Sequence, residues 1–167
     1  MEITYREARP EDAAQMLDYL KTVGSESDNL TFGAEGLPFS LEQEQRFLSQ
    51  MQNSPHSKIL MAFDGSELVG NASLDGSTHP RLGHRCSFAI TVRKSHWGRG
   101  IGSGLLERVI SFAKSAGAEV IELQVRTDNQ RAIALYRKFG FEKFGTYRKF
   151  FKIDGRYFDV DYMNLYL

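Results

Sequence analysis

Two hydrophobic periods alternate along the chain, and the switches between them mark its elements. Ile3 to Ala8 (ITYREA) alternates apolar with polar and predicts a first strand. Pro10-Glu11-Asp12 then reads as a helix start, with proline early and acids in the first turn. Ala13, Met16, Leu17, Leu20 and Val23 recur at helical spacing, and Gly24 is expected to close that helix. Ser25 to Phe39 has no clean period and predicts a loop. Ser40 with Gln43 three residues on forms a capping-box pattern. It opens a second helix to about Gln52, with Leu41, Phe47, Leu48 and Met51 expected inward. Ile59 to Phe63, Asp64-Gly65 and Glu67 to Leu74 predict a hairpin with a tight primed turn. Asp75 to Gly83 is a polar turn region, and His84 to Val92 is a strand.

The second half repeats the alternation. A helix from Gly102 to about Ser115 places Leu105, Val109, Phe112 and Ala113 on one face, and Gly117 ends it. Glu119 to Val125 is a strand with Ile121, Leu123 and Val125 on one side. Asn129 to Phe139 is a helix with Ala132, Leu135, Tyr136 and Phe139 inward and Gly140 as its C-cap. Phe141 to Phe151 and Tyr157 to Leu167 are strands joined at Asp154-Gly155. The resulting order is β-α-α-β-β-β-α-β-α-β-β. It predicts an α/β (α+β) fold with a mostly antiparallel sheet and one βαβ unit.

That βαβ unit encloses the stretch of chemical interest, Val92 to Leu106 (VRKSHWGRGIGSGLL). Glycines fall at alternate positions 98, 100, 102 and 104. A bare backbone turn lets a ligand approach, and the helix after it offers unpaired N–H groups and a positive dipole end. Such a turn is an anion site, most often for phosphate. A P-loop would need a glycine before Lys-Ser or Lys-Thr, and none stands here. A Rossmann frame starting at Gly98 meets Ser103 at its third glycine position, and one starting at Gly100 meets Leu105. Two readings remain: a cradle for the pyrophosphate of coenzyme A, and a flexible turn whose glycines only satisfy geometry, which four glycines at alternate positions disfavour.

Composition narrows the setting. The chain has 167 residues, enough for one domain spanning 1–167 with a real core. Lys plus Arg number 21, as do Asp plus Glu, so charge makes no case for nucleic acid or a membrane surface. One cysteine, Cys86, excludes an internal disulfide framework and reads as a buried strand residue. Met1-Glu2-Ile3-Thr4 has no signal-peptide character, and no apolar run approaches the ~18 residues of a spanning helix. A cytoplasmic setting is expected. His56, His79, His84 and His96 lack metal-ligand spacing, so no metal is expected.

Trp97-Gly98-Arg99-Gly100-Ile101-Gly102 resembles the acetyl-CoA motif of the GNAT superfamily of N-acetyltransferases, [Q/R]-x-x-G-x-[G/A], with Trp97 where Gln or Arg is usual. Val125-Arg126-Thr127-Asp128-Asn129, Ala132, Leu135-Tyr136 and Phe139-Gly140-Phe141 resemble the family's second signature. The resemblance covers nearly the whole chain. It implies a GNAT-like sheet of about 6–7 strands flanked by about four helices, with two central strands splayed around the coenzyme. Backbone at Ile90, Thr91 and Val92 would pair with the pantetheine arm. Arg99, Gly100, Ile101, Gly102, Ser103 and Gly104 would hold the pyrophosphate. Arg93, Lys94 and Arg99 either add charge there or form a solvated rim. Asn129 would cap its helix, contact the coenzyme, or both. Tyr136 would protonate the departing thiolate after direct attack by a primary amine, since a phenol with pKa near 10 is protonated at neutral pH.

The resemblance does not supply a general base. Some family members use a glutamate early in the strand before the glycine loop, where this chain has Arg85-Cys86-Ser87. Others use one twelve residues before the tyrosine, where this chain has Gln124. Glu122 and His84 are the remaining candidates nearby. A missing strong base favours a less basic acceptor, such as an α-amine with pKa near 8 over a lysine near 10.4. The acceptor, a small-molecule or peptide amine, is expected between the Ser25–Phe39 loop and the Phe150–Tyr162 hairpin. Glu26, Asp28, Phe32 and Tyr157 are its candidate contacts. A homodimer is an expectation from the family. Two readings stay open here: an acetyl-CoA-dependent N-acetyltransferase and a non-catalytic acyl-CoA-binding sensor or partner module.

Overall fold

The structure, a computed structural model, describes residues 2–167. Its elements follow the predicted order: β1 (Ile3–Glu7), α1 (Ala13–Glu26), α2 (Leu41–Asn53), β2 (Lys58–Asp64), β3 (Glu67–Gly76), β4 (Arg85–Val92), α3 (Ile101–Ser115), β5 (Val120–Arg126), α4 (Gln130–Lys138), β6 (Glu142–Ile153) and β7 (Arg156–Tyr166). Single 3-10 turns at Pro10–Asp12 and Lys94–His96 precede α1 and the glycine loop. The seven strands form one sheet in the order β1-β2-β3-β4-β5-β7-β6. All pairs are antiparallel except β4 with β5. This is the mixed α/β, mostly antiparallel architecture with four helices that the alternating periods predict.

The sheet separates two buried clusters. On one face α3 and α4 pack Ile101, Leu105, Val109, Ile133 and Tyr136 against β3, β4 and β5. On the other, α1 and α2 pack Met16, Leu20, Val23, Leu48 and Met51 against β2 and β3. The two faces follow from strand alternation, because successive side chains leave the sheet on opposite sides. Cys86 is buried in the first cluster, where its Sγ donates to Val120 O at 3.4 Å and desolvation pushes its thiol up to about 11. Among the described residues no helix is long and apolar enough to cross a membrane.

Both hairpins close with two-residue loops. Asp154 (φ 49°) and Gly155 (φ 75°) are both left-handed, as a type I′ turn requires. In the first hairpin Asp64 pairs with Glu67, so the loop is Gly65-Ser66, one residue later than Asp64-Gly65. Only Gly65 there has a positive φ, as in type II′.

Two expectations are corrected. Gly24 does not end α1, which continues to Glu26. A Cβ on Gly24 would stand 2.0 Å from the carbonyl oxygen of Gly33, so this glycine admits the following loop against the helix. In α2 the buried residues are Glu44, Leu48 and Met51, whereas Leu41 and Phe47 are exposed. Positions 44, 48 and 51 are spaced i, i+4, i+7, a regular inward stripe that begins with an acid. The capping box is present: Ser40 Oγ accepts from Gln43 N at 3.1 Å, and Gln43 Oε1 accepts from Ser40 N at 2.8 Å.

Candidate active site

The site begins where β4 and β5 part. They pair only over Arg85–Ser87 and Val120–Glu122, and both then run on without pairing to each other. The β3–β4 ladder decides which β4 groups face the gap. Arg93 N donates to Val69 O, and Ser77 N to Arg85 O, so odd-numbered residues of β4 bond β3. The backbone of Phe88, Ile90 and Val92 therefore faces β5. Val92 O is taken by Trp97 Nε1 at 2.8 Å, which leaves the N–H groups of Ile90 and Val92 and the carbonyl of Ile90 along the edge. Thr91 differs: its backbone faces β3, and its hydroxyl meets Tyr19 of α1 at 2.9 Å. On β5 the same alternation turns the backbone of Gln124 into the gap, since Val120 N bonds His84 O and Thr127 N bonds Asp159 O.

The glycine loop closes one end of the gap. Gly98 (φ 77°) and Gly100 (φ 79°) are left-handed, and a Cβ on either would meet nothing within 4 Å. They serve the backbone turn and leave open space over it. Gly102 and Gly104 serve packing: a Cβ would stand 3.1 Å from Leu135 and 2.3 Å from the Tyr5 hydroxyl. The first intrahelical bond of α3 is Gly104 N to Gly100 O at 3.0 Å. The N–H groups of Ile101, Gly102 and Ser103 thus have no intrahelical partner, and no side chain caps them. Gly104 is corrected on this point, since its N–H is spent inside the helix and its α-carbon faces Tyr5.

The loop is tied down by side chains. Glu26 Oε2 accepts from Lys94 N at 2.7 Å, and Arg93 reaches Glu26 and Glu67. Arg99 reaches back to Asp64 at 3.3 Å, and His96 Nε2 meets the same carboxylate at 3.3 Å. Those contacts hold the Asp64 carboxyl below the usual carboxylate range, His96 contributing most. Trp97 packs under Arg131 of α4, whose guanidinium lies 4.3 Å from the ring centroid. Trp97 thus joins the end of β4, the loop and α4.

Tyr136 projects from α4 into the same space. Asn129 positions that helix as its N-cap, with Oδ1 accepting from Ala132 N at 3.3 Å. The ring stands edge-on to Phe88 at 6.2 Å and tilted against Phe141 at 5.8 Å. Burial raises the phenol's pKa, so it stays protonated throughout the neutral range.

One open cavity of about 1170 Å³ contains Ile90, Thr91, Val92, Gly100, Ile101, Gly102, Ser103, Asn129 and Tyr136 in its walls. It continues past the sheet edge to α1, α2 and their connecting loop. There it meets Glu26, Phe32, Glu44, Asn71 and Glu122. The volume lies at the large end of small-molecule sites, enough for an extended ligand beside a second one.

Several expected contacts lie elsewhere. His84 is exposed, at the paired end of β4 away from the splay. Tyr157 is exposed, and Asp28 lies outside the cavity walls, offering its carbonyl to Arg126 Nη1 at 2.9 Å. Arg99 also lies outside the walls, with its charge on Asp64. Glu122 is in the wall but is held by Arg85 at 2.7 Å. Glu26 is in the wall as well, with its carboxylate spent on the loop. The sequence reading missed Glu44, Arg126 and the Trp97 indole bond. Only Glu44 carried a usable signal, its place on the inward stripe of α2.

Comparison with known proteins agrees with this geometry. The profile described as Acetyltransferase (GNAT) family matches residues 26–141. The N-alpha-acetyltransferase RimI of Mycobacterium tuberculosis is 38% identical over 107 residues, 61% of this chain and 63% of that protein. The chain thus matches somewhat under two thirds of that relative's length. The L-amino acid N-acetyltransferase AaaT of Escherichia coli is 34% identical over 68% of this chain and 71% of its own length. Among solved structures, a GNAT-family acetyltransferase from Streptococcus pneumoniae superposes with a TM-score of 0.96 at 31% identity, covering 99% of this chain and 100% of that one. With a family match over more than half its length, and with the splayed strands and glycine turn in place, the chain belongs to the acetyltransferase (GNAT) family.

Proposed function

We propose that the protein is an acetyl-CoA-dependent N-acetyltransferase that acylates a primary amine. The observation that carries this is the meeting of three features in one cavity: unpaired N–H groups at the α3 terminus, the open backbone edge of β4, and the buried phenol of Tyr136. The coenzyme fits this chain on two counts. Gly98 and Gly100 leave empty space where side chains would stand, and a run of backbone donors faces it. Two family structures from other organisms are described as holding acetyl-CoA, though at 20–21% identity they speak only for the fold.

Acetyl-CoA supplies an activated acetyl thioester. The acceptor nitrogen, as the neutral amine after its ammonium proton has passed to water, attacks it directly. The C–S bond breaks with loss of the CoA thiolate, and the nitrogen gives up one further proton to water as the amide forms. In this reading the N–H groups of Ile101 to Ser103 bind the pyrophosphate. The edge groups of Ile90 and Val92 hold the pantetheine arm, and one of those N–H groups polarises the acetyl carbonyl. Tyr136 donates its proton to the leaving sulfur. Asn129 fixes α4, and with it the phenol. An N-alpha-acetyltransferase and an L-amino acid N-acetyltransferase among the relatives support an α-amine as acceptor.

The second reading is a binding module that holds acyl-CoA without turnover. A thiol-release assay over a panel of amines separates the two. Release of CoA that depends on both acetyl-CoA and an amine supports catalysis. Thermal protection by acetyl-CoA with no release under any amine overturns it and leaves the module.

A further inference from the structure

Four carboxylates stand in the cavity wall, and three have partners. Glu26 holds Lys94 N and Arg93, Glu122 holds Arg85, and Asp128 holds Arg126 through two bonds of 2.6 and 2.9 Å. Glu44 has none among the described residues. Its residue is 2% exposed, and its Oε2 is buried without a hydrogen-bond donor. Its position in the first turn of α2 lets the helix dipole favour the ionised form but supplies no bond to it. Burial accordingly pushes its pKa up.

A buried, unpartnered carboxylate costs stability, so its retention calls for a partner the free protein lacks. A second orphan lies in the same cavity. Asn71 Oδ1, on β3, is also buried with no donor. Asn71 pairs with Thr91, whose side chain meets α1, so both lie on the α1–α2 side of the sheet. Two acceptors without donors call for a ligand rich in N–H groups, and the one wall carboxylate without a partner among the described residues calls for a cation. The same elements also bring apolar side chains to the wall, among them Met16, Leu20, Leu30, Phe32, Leu37 and Phe47. No group of three or more His, Cys, Asp or Glu suited to a metal ion occurs among the described residues. An ammonium has three N–H donors, a positive charge and an organic body, and it satisfies every part of this list.

We infer that Glu44 is the counter-ion that binds the ammonium group of the acceptor, a primary amine with an apolar body, in the chamber between α1–α2 and the sheet. The assignment rests on the acyl-transfer reading of the cavity. Its test is calorimetric titration of the wild type and Glu44→Gln with 2-phenylethylamine and with neutral 2-phenylethanol, at saturating CoA. The wild type should bind the amine at least tenfold tighter than the alcohol. Glu44→Gln should lose that preference, Glu44→Asp should keep part of it, and both should bind acetyl-CoA as the wild type does. Equal amine affinity in the wild type and Glu44→Gln overturns the inference. So does a wild type that binds amine and alcohol alike, or binds neither.

Turnover separates this failure from failure of the broader reading. An unchanged amine KM in Glu44→Gln removes Glu44 and leaves an acetyltransferase. A wild type that releases no CoA with any amine removes the acetyltransferase, and the titration still decides whether Glu44 binds ammonium.

Discussion

The two halves of the cavity are built on different principles. The half we propose for the coenzyme is made of main chain: the edge of β4, the left-handed turn at Gly98 and Gly100, and the open end of α3. The half we propose for the acceptor is made of side chains brought from α1, α2, their loop and the sheet. Main-chain donors are the same whatever residue carries them, so that half suits a ligand shared across a family. Side chains differ from chain to chain, so in this proposal the other half carries selectivity. Substitutions should therefore separate the two halves kinetically.

The largest effect is expected where both halves meet. Tyr136→Phe keeps the packing against Phe88 and Phe141 and removes only the donor. It should lower kcat by ~100-fold or more, with both KM values little changed, as steady-state thiol release would report. Because burial raises the phenol's pKa, wild-type kcat should show no fall from tyrosine ionisation up to about pH 10, the ordinary value for that group. An alkaline limb below that pH which vanishes in Tyr136→Phe would contradict the assignment.

Next comes the coenzyme half. Gly100→Ala places a Cβ in empty space but forces a left-handed backbone, at a cost of about 1 kcal/mol in stability. It also projects a methyl toward the proposed pyrophosphate. The KM for acetyl-CoA should rise about tenfold or more while the amine KM stays put. The mirror experiment is Gly24→Ala, whose Cβ would collide with Gly33 O at 2.0 Å and displace the loop carrying Phe32. It should raise the amine KM several-fold, leave the acetyl-CoA KM unchanged, and lower stability by ~1–3 kcal/mol. Either variant moving both constants equally would break the comparison.

The smallest effect is on stability. Glu44 has a raised pKa, so the folded state holds its proton more tightly than the unfolded state does. The cost of burying it is absent below the unfolded value, near 4.3, grows as pH rises through the folded value, and is complete above it. Glu44→Gln should therefore be more stable than wild type at pH 8 by about 1 kcal/mol, roughly 2–4 °C in Tm. The gap should shrink at pH 4, as thermal scans at both pH values would reveal.

The same division explains what the sequence disclosed. The coenzyme half occupies contiguous stretches, Val92–Leu106 and Val125–Phe141, where glycine at set positions answers to backbone geometry. Alternation and caps also delivered the element order, the Ser40–Gln43 box and the Asp154-Gly155 turn. The acceptor half had no such local requirement. Glu44 is hidden because an acid on a helix ordinarily faces water, so Leu48 and Met51, rightly expected inward, are grouped with Leu41 and Phe47 in its place. Gly24 sits near the end of its apolar period, so a C-cap was the natural reading. Only the distant Gly33 carbonyl reveals its role. Glu26 and Glu122 stand in the sequence as candidate acceptor contact and candidate base because their partners, Lys94 and Arg85, lie 68 and 37 residues away in the chain.

The most direct test of the central claim is thiol release by the wild type with acetyl-CoA and a panel of primary amines, repeated with Tyr136→Phe. CoA release that requires an amine, and that falls at least ~100-fold in Tyr136→Phe with coenzyme binding intact, is the predicted result. Tight acetyl-CoA binding with no amine-dependent release in the wild type would contradict it.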